Sequence, residues 1–113
     1  MVSMTIQELI QQSHATALEK GWWDKEINFG EKLMLMVTEL AEVMEEYRKY
    51  GLDEHALIYN IEEKPEGIAI EFADLLIRVA DACGKYNIPL EEALKIKLEY
   101  NTTRSYRHGD KLA

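Results

Sequence analysis

The chain has 113 residues, 47% of them hydrophobic and 30% charged, and carries a net charge of −8. That length suits one domain with one core, and the apolar content marks a globular rather than a disordered chain. So acidic a balance argues against non-specific nucleic-acid binding, which relies on a basic surface.

Only two prolines and six glycines interrupt long apolar runs, which favours helices over strands. No run approaches the roughly 20 apolar residues that span a bilayer. The opening Met1-Val-Ser-Met-Thr-Ile-Gln-Glu has neither the basic region nor the apolar core of a signal peptide. The single cysteine, Cys83, sits in an apolar stretch and reads as a small core residue in a reducing compartment. The expectation is a cytoplasmic protein with no membrane partner, a single helical domain over residues 1–113.

Four helices follow in order. The first spans about Thr5 to Lys20, opened by the capping box Thr5-x-x-Glu8 and closed at Gly21. Trp22-Trp23 then lie in a loop. The second helix spans about Phe29 to Tyr50, with Asn28-x-x-Glu31 as a second capping box and Gly51 as its stop. Leu52 to Lys64 has room for a short helical turn. Pro65 suits the first turn of a third helix that ends near Tyr86, before Asn87. Pro89 starts a fourth, which reaches Thr103, and Arg104 to Ala113 form a tail. The fold class is all-α, an antiparallel bundle of four main helices.

The second and third helices are apolar on nearly every side. Between Leu33 and Met44 only Thr38, Glu39 and Glu42 are polar; between Ile68 and Cys83 only Glu71, Asp74, Arg78 and Asp81 are. Helices of that kind need burial all round, so the bundle is expected to oligomerise through them, as a homodimer or homotetramer.

Glu39 and Glu42 share one helix face, as do Glu71 and Asp74. Such spacing is common in a chain with 21 acidic residues, and Glu42/Glu45 and Glu63/Glu66 repeat it. The surroundings single out the first two pairs: a carboxylate without a partner in an apolar setting costs several kcal/mol. In an antiparallel hairpin, Glu42 and Glu71 would stand roughly 12 and 9 Å from the connecting turn, and Glu39 and Asp74 roughly 17 and 13 Å. The pairs then face each other. Carboxylates so gathered need a cation, and all-oxygen donors select magnesium or manganese over zinc. His14, His55 and His108 are scattered, and no Glu-x-x-His pair suggests a di-iron site. The competing reading is that Arg78, Lys32 or another base pairs the acids.

Residues 95–113 hold five basic side chains against two acidic ones, a balance of +3 that leaves −11 for the first 94 residues. Lys97, Asn101 and Arg104 share one face of the fourth helix, and the tail adds Arg107 and Lys111. Such a row can grip phosphate oxygens. Trp22 and Trp23 can stack on a nucleobase or anchor their loop in the core.

Glu39-Leu-Ala-Glu42 and Glu71-Phe-Ala-Asp74 resemble the paired Glu-x-x-Glu and Glu-x-x-Asp motifs of the MazG-like nucleoside triphosphate pyrophosphohydrolases. Lys97-Leu-Glu-Tyr-Asn-Thr-Thr-Arg104 with Arg107 to Lys111 resembles their basic closing segment, and His14 to Trp23 their first helix and loop. Ser105 departs from the proline found there in many relatives. The resemblance implies hydrolysis of a nucleoside triphosphate to the monophosphate and pyrophosphate in house-cleaning or pool control. It implies a magnesium ion on Glu39, Glu42, Glu71 and Asp74, and phosphate contacts from Lys97, Asn101, Arg104 and Lys111. Phosphoribosyl-ATP hydrolysis and a non-enzymatic oligomerisation module are the alternatives.

Overall fold

A computed structural model describes residues 3–106. It contains four helices, α1 (Ile6–Glu19), α2 (Phe29–Tyr50), α3 (Ile68–Tyr86) and α4 (Leu90–Thr103), with a small two-stranded sheet between α2 and α3. The protein is mostly helical, as expected.

Local chemistry fixes the ends. Thr5 Oγ1 accepts the Glu8 N–H while Glu8 Oε1 accepts the Thr5 N–H, both at 3.0 Å, so the first capping box is complete. Asn28 caps α2 by accepting the Glu31 N–H at 2.9 Å. Gly51, at φ 60°, stops α2, and Asn87 stops α3 in the left-handed conformation.

The segment between α2 and α3 departs from expectation. After a 3-10 turn at Glu54–Ala56 come strands β1 (Tyr59–Ile61) and β2 (Lys64–Glu66), paired antiparallel with Asn60 opposite Pro65. Pro65 therefore lies in a strand, not in the first turn of a helix. An isolated two-stranded hairpin has a free edge beside each strand, where a residue without an N–H is tolerated. The helix starts three residues later, because Gly67 takes φ 117° and lets the Ala69 N–H reach the Leu57 carbonyl at 3.0 Å. A Cβ on residue 67 would run into that same carbonyl oxygen.

Helix α3 is the centre of the packing, with α1 against one side and α2 against the other. Ile10 of α1 meets Ala80 and Cys83 of α3 to form the small buried core, which Ile6, Leu9, Val79 and Leu90 extend. Gly84 lets the helices approach: a Cβ there would lie 2.8 Å from His14 Cβ. Cys83 is free and buried, as the sequence suggested.

The other side is far less covered. Leu33, Met34, Val37, Leu40 and Met44 of α2 and Phe72 and Leu76 of α3 all remain exposed. The radius of gyration is 16.7 Å, against about 13 Å for a compact chain of this size. No helix among the described residues is long and apolar enough to cross a membrane.

Gly67 and Gly51 both have φ values that L-residues rarely adopt, but space around Gly51 is open. Gly51→Ala should cost about 1–3 kcal/mol through backbone strain alone. Gly67→Ala should cost clearly more, and equal denaturation midpoints for the two variants would contradict this account of the α3 start.

Candidate metal centre on α2 and α3

Contacts along α2 and α3 show that they run antiparallel. Glu46 groups with Glu66 and Glu71, while Glu39 groups with Glu71 and Asp74 and reaches Arg78. Descending numbers on one helix meet ascending numbers on the other. This arrangement turns Glu39 towards Glu71 and Asp74.

One carboxylate oxygen from each of Glu39, Glu71 and Asp74 lies within 4.8 Å of the others. Glu42 stands outside this convergent group, although its charge acts on Glu71. Glu39 and Glu71 are partly buried; Asp74 and Glu42 are exposed in the single chain. Burial raises the Glu71 carboxyl above its ordinary value, helped by the charges of Asp74 and Glu42. Asp74 is raised as well, by loss of water first and then by Glu39, with a hydrogen bond from Glu71 and the charges of Arg78 and Lys64 acting in the opposite direction.

Two carboxylates that sequence reasoning passed over belong to the same ridge. Glu46, Glu66 and Glu71 form a second convergent group. Two of its members have partners: the Tyr59 hydroxyl donates to both oxygens of Glu46 at 3.0 and 3.1 Å, and Lys64 Nζ lies 3.2 Å from Glu66. Glu46 continues the α2 face of Glu39 and Glu42 at the next turn, a helical spacing visible in the sequence. Glu66 could not be placed there while the third helix was expected to begin at Pro65.

The acids are only partly neutralised. Arg78 Nε donates to Glu39 Oε1 at 2.7 Å, so one proposed base does pair one acid. Lys32 does not: it is buried with its Nζ 3.9 Å above the Trp23 ring. Among the described residues Glu71 and Asp74 have no ion pair within 4.0 Å. Oxygen donors at this separation, without histidine or cysteine, fit a small hard divalent cation such as magnesium.

The two tryptophans separate. Trp23 Nε1–H donates to both oxygens of the buried Asp81 at 2.9 and 3.2 Å, and His14 Nδ1 reaches Asp81 Oδ1 at 2.9 Å. The Trp23 ring also stands edge-on to His14 and Tyr86. Trp23 thus anchors its loop to α3, and Asp81, which α3 turns inward, holds two side chains in place. Trp22 is exposed. It lines a mostly apolar cavity of about 280 Å³ with Leu9, Ala17 and Ile77, and the Arg78 guanidinium lies 5.0 Å from its ring centroid.

Lys97, Asn101 and Arg104 are exposed or half-buried on and beside α4, which packs on α1. Lys97 and Arg104 lie over the Tyr100 ring at 5.0 and 5.5 Å. Among the described residues no ion pair or hydrogen bond joins them to the carboxylates of α2 and α3. Arg107 and Lys111 fall outside the described residues.

No protein-family model, curated protein or solved structure matches the chain.

The raised carboxyls make a pH prediction for the metal-free protein. Glu71 and Asp74 bind protons more tightly folded than unfolded. Their contribution is complete below about pH 4, near the unfolded values, and is lost as pH rises through the higher folded ones. In EDTA the wild type should lose more stability between about pH 4 and 7 than Glu71→Gln/Asp74→Asn. Parallel melting-temperature curves for the two proteins would refute it.

Proposed function

We propose that this chain is a magnesium-dependent nucleoside triphosphate pyrophosphohydrolase of the MazG-like type. The observation that carries this reading is the convergence of Glu39, Glu71 and Asp74 within 4.8 Å. The motif resemblance over both acidic pairs and the closing segment supports it independently.

Glu39, Glu71 and Asp74 would hold the cation; Glu42, one turn along the same face but outside their group, would add a fourth oxygen only after its side chain turned towards them. The chemistry that a magnesium ion held there would supply is charge neutralisation on the triphosphate and activation of water. In the overall reaction water adds to the α-phosphorus, the bond to the β-phosphate oxygen breaks, and pyrophosphate departs. The side chains contribute position: two packed helices fix the carboxylates before substrate arrives, so little reorganisation remains. Trp22, exposed beside the cavity, is available to stack on a base, whereas Trp23 is committed to Asp81. A phosphate role for Lys97, Asn101, Arg104 and Lys111 rests on the resemblance alone.

Self-association belongs to the same proposal. Exposed Leu33, Val37, Leu40, Met44, Phe72 and Leu76 lie on the two helices that carry the acids, and a second copy of the chain would cover them.

A structural reading, in which the acids serve as salt-bridge partners, is favoured by one contact, Arg78 on Glu39. Magnesium separates the two. A true site gains about 2.7 kcal/mol at a hundred times the dissociation constant, whereas salt bridges gain no such stabilisation. With magnesium and a panel of ordinary and modified triphosphates, the protein should release pyrophosphate, not orthophosphate, from at least one. Glu42→Gln, Glu71→Gln and Asp74→Asn should each lower kcat by at least about a hundredfold. Survival of every triphosphate unchanged would dispose of the enzyme reading.

A further inference from the structure

We propose that Arg78 is a phosphate-binding residue whose guanidinium is held ready by Glu39 and Trp22, a role that rests on the hydrolase reading above.

The case begins with what Arg78 leaves unused. A guanidinium has five N–H donors in a planar fork and is always charged. Arg78 spends one of them, Nε–H on Glu39 Oε1 at 2.7 Å. Among the described residues Nη1 and Nη2 have no hydrogen-bond acceptor. A guanidinium serving only to neutralise a carboxylate gains most from the two-pronged arrangement, with parallel bonds to both oxygens. This one is attached by its inner nitrogen and keeps its outer edge open.

Its plane is supported too. The guanidinium carbon lies 5.0 Å from the Trp22 ring centroid, within cation–π range. The Arg78 side chain retains 24% of its exposure, so the Nη atoms reach solvent. Anchored on one side and stacked on another, the fork has lost much of its rotamer freedom before any ligand arrives. Arg78 also follows Asp74 by four residues on α3, which places it on the convergent carboxylates' own face. An anion bridging a cation on Glu39, Glu71 and Asp74 therefore has a guanidinium edge beside it. The chemistry selected is a phosphate chain carrying a divalent cation, with Trp22 marking the side towards which its organic portion extends.

The test uses binding rather than turnover and a probe that carries no base. Magnesium alone, and pyrophosphate in saturating magnesium, are titrated calorimetrically into wild type, Arg78→Gln, Arg78→Lys and Lys64→Gln. Lys64 is the control for charge, since its ammonium acts on Glu71 and Asp74 without touching Glu39. Arg78→Gln should bind magnesium at least as well as wild type but pyrophosphate about tenfold more weakly. Arg78→Lys, which keeps charge but not the fork, should recover only part of that loss, and Lys64→Gln should lose far less than Arg78→Gln. Unchanged pyrophosphate affinity in Arg78→Gln overturns the inference and leaves the hydrolase reading standing. So does an equal loss in Lys64→Gln, which would mean general charge, or weakened magnesium binding in Arg78→Gln, which would mean that Arg78 only positions Glu39. No magnesium binding by wild type would remove both.

Discussion

Mutual repulsion of carboxylates across the α2–α3 contact is the constraint around which the rest of this protein is arranged. Glu39, Glu71 and Asp74 converge, and Glu42, Glu46 and Glu66 continue the same ridge. Hydrophobic contact between the helices holds these groups together against that repulsion, and partial burial makes each charge costlier. Local partners are distributed unevenly along the ridge. The hairpin end has Tyr59 on Glu46 and Lys64 on Glu66. The other end has one guanidinium for three acids. Charge is least balanced where the carboxylate oxygens converge.

Helix α3 serves two chemistries at two heights along one face. Asp74 and Asp81 are two turns apart on it and interrupt the same apolar stretch. Asp81 is buried against α1 and receives the Trp23 and His14 ring N–H groups, so its acceptor capacity is spent on holding the Trp22-Trp23 loop. Asp74 is exposed and meets the carboxylates of Glu39 and Glu71. The Asp81 network also matters to the site indirectly. By fixing Trp23, it sets where the adjacent Trp22 can lie, and Trp22 supports Arg78.

The helices and the nearness of Glu39 to Glu71 and Asp74 were legible because they follow from short-range rules. Capping residues set the helix starts, and 1.5 Å per residue sets heights along an antiparallel pair. The hairpin was not legible. Its turn, Glu62-Glu63, carries none of the glycine or asparagine that usually marks a tight turn, although Glu62 takes φ 58°. Pro65 misled for a related reason: a proline suits a helix start and an edge strand equally, and the Gly67–Leu57 contact that decides between them is tertiary. The division of labour between Trp22 and Trp23 was equally hidden, since it depends on which indole meets a buried carboxylate. The phosphate role of Lys97, Asn101 and Arg104 comes from side-chain chemistry and the resemblance, and nothing in the spacing of α4 places them beside the acids.

The apolar surface and the acidic ridge are adjacent, and that adjacency has a consequence for both. Leu40 and Met44 alternate along α2 with Glu39 and Glu42, and Phe72 and Leu76 do the same on α3 with Glu71 and Asp74. A second copy docking on the leucines and methionines, as proposed, would exclude water within a few ångströms of the carboxylates. Lower local dielectric strengthens their repulsion and their attraction for a divalent ion alike. Association and cation binding would then reinforce each other, because each relieves a cost that the other leaves behind. On that argument the apolar faces and the acids would form one functional unit: burial of the first would create the need for a cation that the second could hold.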